Sequence, residues 1–134
     1  MVKLTEEMIA TLSETRIFMV ATASKSGVPN VVPVGMIFLK DDKETFWLVD
    51  NYFDKTLRNL KENPVLSFSA LSQSGTPIQI KCDAEIETSG KDYDEAVRIA
   101  HAKKETYPAK SLIKLRVKEI YSVKPGEGAG KKLL

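Results

Sequence analysis

Hydrophobic positions fall at two different periods along this chain, and the order in which the periods alternate sketches a fold. In PIQIKCDAEIET, residues 77–88, Ile78, Ile80, Cys82, Ala84 and Ile86 face one way while Gln79, Lys81, Asp83, Glu85 and Glu87 face the other. That is the pattern of a strand with one side against a core. SLIKLRVKEIYSV, residues 111–123, repeats it, with Ile113, Leu115 and Val117 inward and Lys114, Arg116 and Lys118 outward. Earlier, RIFMVATA (16–23), PNVVPVGMIFLK (29–40) and TFWLVD (45–50) are separated by the polar turns SKSG and DDKE, which predicts an antiparallel meander. VLSFSAL, residues 65–71, completes a set of six strands.

Three segments carry helical spacing instead. Leu4, Met8 and Leu12 share a face, with Thr5 placed to cap and Leu4 and Ile9 at hydrophobic-staple spacing. A second helix starts near Asp54, buries Leu57 and Leu60, and stops at Asn63-Pro64, where proline removes a donor and restricts its predecessor. The third follows Ser89, a plausible cap, and presents Tyr93, Ala96, Val97 and Ala100. Six strands with short turns and three short helices predict a mainly β protein, a single domain over residues 1–134, closed or nearly closed as an antiparallel barrel that leaves no open strand edges. There is no strand–helix–strand alternation of the kind that builds a doubly wound parallel sheet. On residues 45–50, Phe46 and Trp47 point to opposite faces, so one fills the barrel.

Composition narrows the function classes. With 134 residues, 43% of them apolar, the chain is long enough for a genuine core. A formal net charge of +2 argues against a general electrostatic nucleic-acid binder. No apolar run approaches the ~18 residues needed to cross a bilayer, and the acidic N-terminal segment lacks the features of a signal peptide. The expectation is a soluble, cytoplasmic protein with no membrane or nucleic-acid partner. One cysteine, Cys82, and one histidine, His101, cannot supply the usual zinc clusters or Cys/His nucleophile pairs, so no metal and no catalytic side chain are assigned. Cys82 reads as a small buried hydrophobe and His101 as a solvated residue at a helix end. The tail PGEGAGKKLL is expected to be mobile unless something ties it down, and its glycine spacing does not make a phosphate loop.

The most suggestive chemistry lies at Lys55-Thr56, in the first turn of the second helix. First-turn N–H groups have no intrahelical acceptor and sit at the positive end of the helix dipole. Lys55 adds a charge and Thr56 a hydroxyl donor. Taken alone, the pair is also what an ordinary capped helix shows.

The order of elements, with Gly27, Pro29, Pro33 and Val34 spaced as G-x-P-x-x-x-P-V, then DKTLRNLKENP (54–64) and the alternating strand before a helix, resembles the FMN-binding split-barrel family. That family includes pyridoxamine 5′-phosphate oxidase and small FMN-binding proteins. The resemblance implies a six-stranded antiparallel split barrel with flanking helices. It also implies a homodimer with FMN at the subunit interface. By position it places Lys55 and Thr56 on the phosphate, Val32, Pro33 and Val34 beside the flavin ring, and Val49, Asp50 and Asn51 along the ring and ribityl chain. Gln79 and Lys81 become candidates for the opposite wall, and whichever of Phe46 and Trp47 faces outward either meets the ring or packs at the dimer interface. Asp54 next to a phosphate is repulsive unless its carboxylate caps the helix at Thr56 or Leu57, and Cys82 stands where relatives often have glycine.

The function implied is electron transfer or oxidoreduction with a small-molecule or protein partner. Oxidation of a vitamin B6 phosphate fits poorly, because that activity uses a C-terminal segment with tryptophan, arginine and histidine that this chain lacks. Alternatives are a deazaflavin or haem in the same cleft, or a non-catalytic binding module or structural dimer of the same barrel.

Overall fold

The computed structural model describes residues 2–134. In chain order it contains α1 (Glu6–Ser13), β1 (Phe18–Ala23), β2 (Pro29–Val34), β3 (Ile37–Leu39), β4 (Thr45–Asp50), α2 (Lys55–Glu62), β5 (Val65–Ala70), β6 (Ile78–Glu87), α3 (Lys91–Lys103) and β7 (Ser111–Ser122). The strands form one antiparallel sheet in the order β2-β1-β5-β6-β7-β4-β3.

The sheet has seven strands where the hydrophobic pattern predicts six, and the extra strand explains the shape. The apolar run 29–40 is not one strand. Its first half pairs with β1, from Phe18↔Val34 to Ala23↔Pro29, and its second half pairs with β4, from Ile37↔Leu48 to Leu39↔Phe46. β2 and β3 are therefore the two edges of the sheet, yet only Gly35 and Met36 separate them in the chain. Three peptide steps span at most about 11 Å, so the sheet must curl until its edges nearly meet. The result is a half-barrel whose split lies at the Gly35-Met36 crossing. Pro29 and Pro33 suit an edge strand, where a missing donor costs little.

Inside the curl, Val20, Leu48, Phe68, Ile80, Ile113 and Ile120 are sealed from solvent. α1 lays Leu4, Met8 and Leu12 on the same core. Thr5 caps it, accepting the Met8 N–H at 3.3 Å. A second cluster lies outside the curl, where Ala96 and Ala100 of α3 cover Met36, Trp47, Val49 and Leu112. Trp47 packs beneath a helix of its own chain, while Phe46 fills the barrel. Cys82 is 1% exposed, and burial pushes its thiol well above the ordinary range, so it behaves as a small core side chain.

Ser89 does not cap α3. Gly90 holds that position at φ +104, a conformation that favours glycine, and makes no side-chain bond. Asp92 and Asp94 in the first turn compensate the dipole instead. The tail is tied down. β4 covers β7 only from Ser111 to Arg116, and beyond that the tail takes its place, with the Ser122 N–H donating to Lys131 O (2.8 Å) and the Ile120 N–H to Leu134 O (2.9 Å). The otherwise open edge of β7 is thereby protected. Among the described residues no helix is long and apolar enough to cross a membrane.

Lys114 joins three elements, its ammonium lying 2.6 Å from both Glu87 Oε2 and Asp92 Oδ2. Hydrogen bonding to Asp92, then to Glu87, raises the Lys114 pKa, and the bond from Lys114 lowers that of Asp92. The depressed carboxyl stabilises the fold above its ordinary value of 3.8 and loses that effect as pH falls through its folded pKa. The raised ammonium stabilises below 10.5 and loses its effect as pH rises through its folded pKa. The melting-temperature difference between the parent and Lys114→Met is accordingly expected to be largest between about pH 5 and 9, and to vanish toward both extremes. A pH-independent difference would mean that packing, not charge, holds this junction.

Candidate functional site

A cleft of about 510 Å³ opens at the split. One wall is β2, through Asn30, Val32, Pro33 and Val34, followed by Gly35 and Met36 of the crossing. The facing side is Val49 at the end of β4, then Asn51 to Phe53 in the connecting loop, then Asp54, Lys55 and Thr56 at the start of α2. Lys103 and Tyr107, at the end of α3 and just beyond it, close the third side. Tyr52 is 71% exposed at the rim and meets Tyr107 edge to face, with ring centroids 6.4 Å apart.

The loop between β4 and α2 is fastened from beneath. Asp50 is fully buried, and its Oδ1 accepts the Phe53 N–H at 2.9 Å while its Oδ2 accepts the Ser111 hydroxyl at 3.0 Å. Lys110 stands 3.6 Å from Asp50 Oδ1 and donates to Phe53 O at 2.8 Å. Asn51 is held by its Oδ1, which accepts the Ala109 N–H at 3.0 Å, so its amide N–H groups are the donors left for the cleft.

α2 is seated on β1 and β2 through a polar layer. Asn59 donates to Thr22 Oγ1 at 3.0 Å, and Asn30 donates to Thr56 Oγ1, also at 3.0 Å. The helix N-terminus is therefore fixed at the floor of the cleft. Asp54 does not cap it: the carboxylate makes no bond to a first-turn N–H and instead lies 3.6 Å from Arg58, one turn on. Both side chains are largely exposed, so the pair contributes little stability. Its consequence is chemical, because the first-turn N–H groups keep no side-chain acceptor. The first helical N–H with a partner one turn back is that of Arg58, which donates to Asp54 O at 3.0 Å.

Of the ten residues the sequence singles out, seven converge on this cleft: Val32, Pro33, Val34, Val49, Asn51, Lys55 and Thr56. Asp50 does not line it but clamps the loop that does. Gln79 and Lys81 lie elsewhere in the same chain, on the outer face of β6, opposite Tyr121 and Glu119 of β7, with the Lys81 ammonium 5.4 Å from the Tyr121 ring centroid. Sequence reasoning missed Asn30, Met36, Tyr52, Lys103 and Tyr107. Asn30 was within reach, since it is in phase with Val32 and Val34 on one strand face. Lys103 and Tyr107 carry no local signal, because only the docking of α3 over Trp47 brings them to the cleft. His101 is exposed, with its Nε2 3.0 Å from Tyr107 O.

The chain is a curled antiparallel half-barrel with a helix N-terminus at a cleft beside its split. The chain belongs to the pyridoxamine 5′-phosphate oxidase family, whose model matches residues 4–124. An uncharacterised protein of Methanocaldococcus jannaschii is 38% identical over 131 residues, spanning 97% of this chain and 87% of that protein. Among solved structures, Group A Streptococcus HupZ superimposes with a TM-score of 0.79 at 26% identity, covering 95% of this chain and 99% of its own. An FMN-binding protein from Syntrophomonas wolfei superimposes with a TM-score of 0.73 at 17% identity, covering 89% and 90%. The same fold occurs in HutZ, the haem storage protein of Vibrio cholerae, and in an F420 reductase, at 14% and 17% identity with TM-scores of 0.69 and 0.67.

Proposed function

We propose that the cleft binds FMN and that the protein is a flavoprotein passing electrons between a small-molecule or protein donor and a small acceptor. One observation carries this reading: Lys55, the Thr56 hydroxyl and uncapped first-turn N–H groups meet at one end of a cleft whose walls are Val32, Val34, Met36 and Val49. A flavin mononucleotide combines a near-dianionic phosphate with a flat apolar ring, and these ask for an anion site and an apolar slot. Bound FMN would supply the redox chemistry. The chain would grip the phosphate, orient the ring against β2 and keep water from one of its faces.

A second copy of the chain would complete the enclosure. The outer face of β1 and β2 leaves Met19 48% and Val31 56% exposed, in register with Pro33 and Ala21. An apolar sheet face of this kind suits burial against another protomer, and the same side of the sheet runs on through the polar Ser67 and Ser69 of β5 to Gln79 and Lys81 of β6. Those two side chains can reach a flavin only in a neighbouring copy's cleft.

Haem is a weaker occupant, because the sole imidazole, His101, is exposed with one ring nitrogen against the Tyr107 carbonyl. Oxidation of a B6 phosphate is likewise disfavoured, since Trp47 is buried under α3. The test is direct: purified protein titrated with FMN should quench flavin fluorescence at one flavin per protomer and remain yellow after unbound FMN is removed by gel filtration. Protein that stays colourless and takes up no FMN would overturn the reading, and a haem or deazaflavin released on denaturation would redirect it. Lys55→Ala is expected to weaken FMN binding roughly tenfold to a hundredfold, the value of a hydrogen bond to a charged group. It should shift folding stability by less than about 0.5 kcal/mol. Equal affinity in variant and parent would remove Lys55 from the phosphate site.

A further inference from the structure

We propose that Asn30 is a positioning residue for the anion end of the cleft: by donating to Thr56 it keeps the Thr56 hydroxyl proton free for a terminal phosphate, so that the site selects a phosphorylated over an unphosphorylated flavin. The inference rests on the FMN reading above and deepens it.

Thr56 borders the cleft yet is only 2% exposed. Its Oγ1 accepts the Asn30 amide at 3.0 Å. A hydroxyl has one proton and two lone pairs, and an amide N–H occupies a lone pair without absorbing the proton. The amide nitrogen of Asn30 also lies 3.5 Å from Thr22 Oγ1, which accepts the Asn59 amide at 3.0 Å. Two amides thus aim donors at two threonine oxygens, and neither threonine proton is taken up by them. For Thr56 the open direction is the cleft, beside Lys55 and the first-turn N–H groups.

Lys55, the Thr56 hydroxyl and the first-turn N–H groups are then all donors at that end, while the Asp54 carboxylate on the same wall is drawn toward Arg58, 3.6 Å away. The matching ligand group is one that only accepts, and a phosphate monoester near its dianionic form is such a group. The terminal hydroxyl of riboflavin is neutral and carries a proton of its own, so it gains much less there. Because Thr56 is shielded from water, the orientation of its single proton matters more than it would on the surface.

The experiment measures FMN and riboflavin dissociation constants by fluorescence quenching for the parent, Asn30→Ala, Thr56→Val, the double variant and Asn30→Asp. The parent should prefer FMN. Asn30→Ala and Thr56→Val should each lose about tenfold in FMN affinity, with riboflavin changed less than about twofold. The double variant should lose no more than the worse single one, since both remove the same oriented proton. Asn30→Asp, the isosteric change, offers an acceptor that captures the Thr56 proton and adds negative charge, so it should lose more than Asn30→Ala and only for FMN. That variant carries the test if Asn30→Ala does not fold.

An unchanged FMN-to-riboflavin ratio in these Asn30 variants, or additive losses in the double variant, would overturn the assignment while leaving the FMN cleft intact. Equal affinity of the parent for both flavins would do the same. Failure of the parent to take up either flavin would end both readings.

Discussion

Phe68→Ala is expected to lower the folding stability by about 3–5 kcal/mol, the usual cost of emptying a fully buried aromatic site. The Phe68 ring is 1% exposed and meets two others edge to face, Phe18 at 5.8 Å and Phe46 at 5.0 Å. Phe18 lies on β1 and Phe46 on β4, strands that are not neighbours in the sheet. Phe68 therefore bridges the curl across its interior, and its loss removes two favourable ring pairs as well as buried area. Against a total stability of order 5–15 kcal/mol, the variant would keep a reduced but measurable margin. Urea denaturation should show a lower midpoint with little change in slope, and a loss under about 1 kcal/mol would mean that the half-barrel interior repacks freely.

Such an interior is what hydrophobic periodicity reports best. β6 and β7 were legible because one face of each is buried and the other solvated, so Ile80 and Leu115 declare their side by alternation alone. The division of residues 29–40 was not legible, because Val34, Met36 and Ile37 are all apolar and nothing local says that the chain leaves one sheet edge there and joins the other. Closure is a property of the whole sheet. The same reason hid the place of Trp47: its face of β4 looks outward from the barrel, and only α3, some fifty residues later, covers it. Capping failed at Ser89 and Asp54 for a different reason. A side chain one position early cannot reach a first-turn N–H, and a carboxylate with an arginine one turn away has a competing partner.

The cleft was legible in the parts contributed by consecutive segments. β2 and the β4–α2 connection are both local in sequence, and their meeting at the split follows once the edges of the sheet are joined. Asp50 shows where such reasoning stops. Its position at the end of β4, beside two residues that do line the cleft, implies a ligand contact, but strand alternation turns it to the opposite side from Val49 and Asn51. There it meets Phe53, Ser111 and Lys110.

Asp50→Ala should consequently act on stability first and on binding second. The substitution leaves the Phe53 N–H and the buried Ser111 hydroxyl without their acceptor, at about 1–3 kcal/mol for each group that stays unsatisfied, while Lys110, whose side chain is 45% exposed, adds little. Asp50→Asn retains an acceptor oxygen for Phe53 and should cost distinctly less. Because the Phe53 bond fixes the loop leading into α2, FMN affinity in Asp50→Ala should fall as well, through loss of order at Lys55 and Thr56 and not through a lost contact. Amide hydrogen exchange separates the two causes. The Phe53 amide should exchange much faster in Asp50→Ala, with amides in β6 changed only as far as the global stability changes. A variant of parental stability and unaltered Phe53 protection that no longer bound FMN would show instead that Asp50 reaches the ligand, and the clamp described here would have to be abandoned.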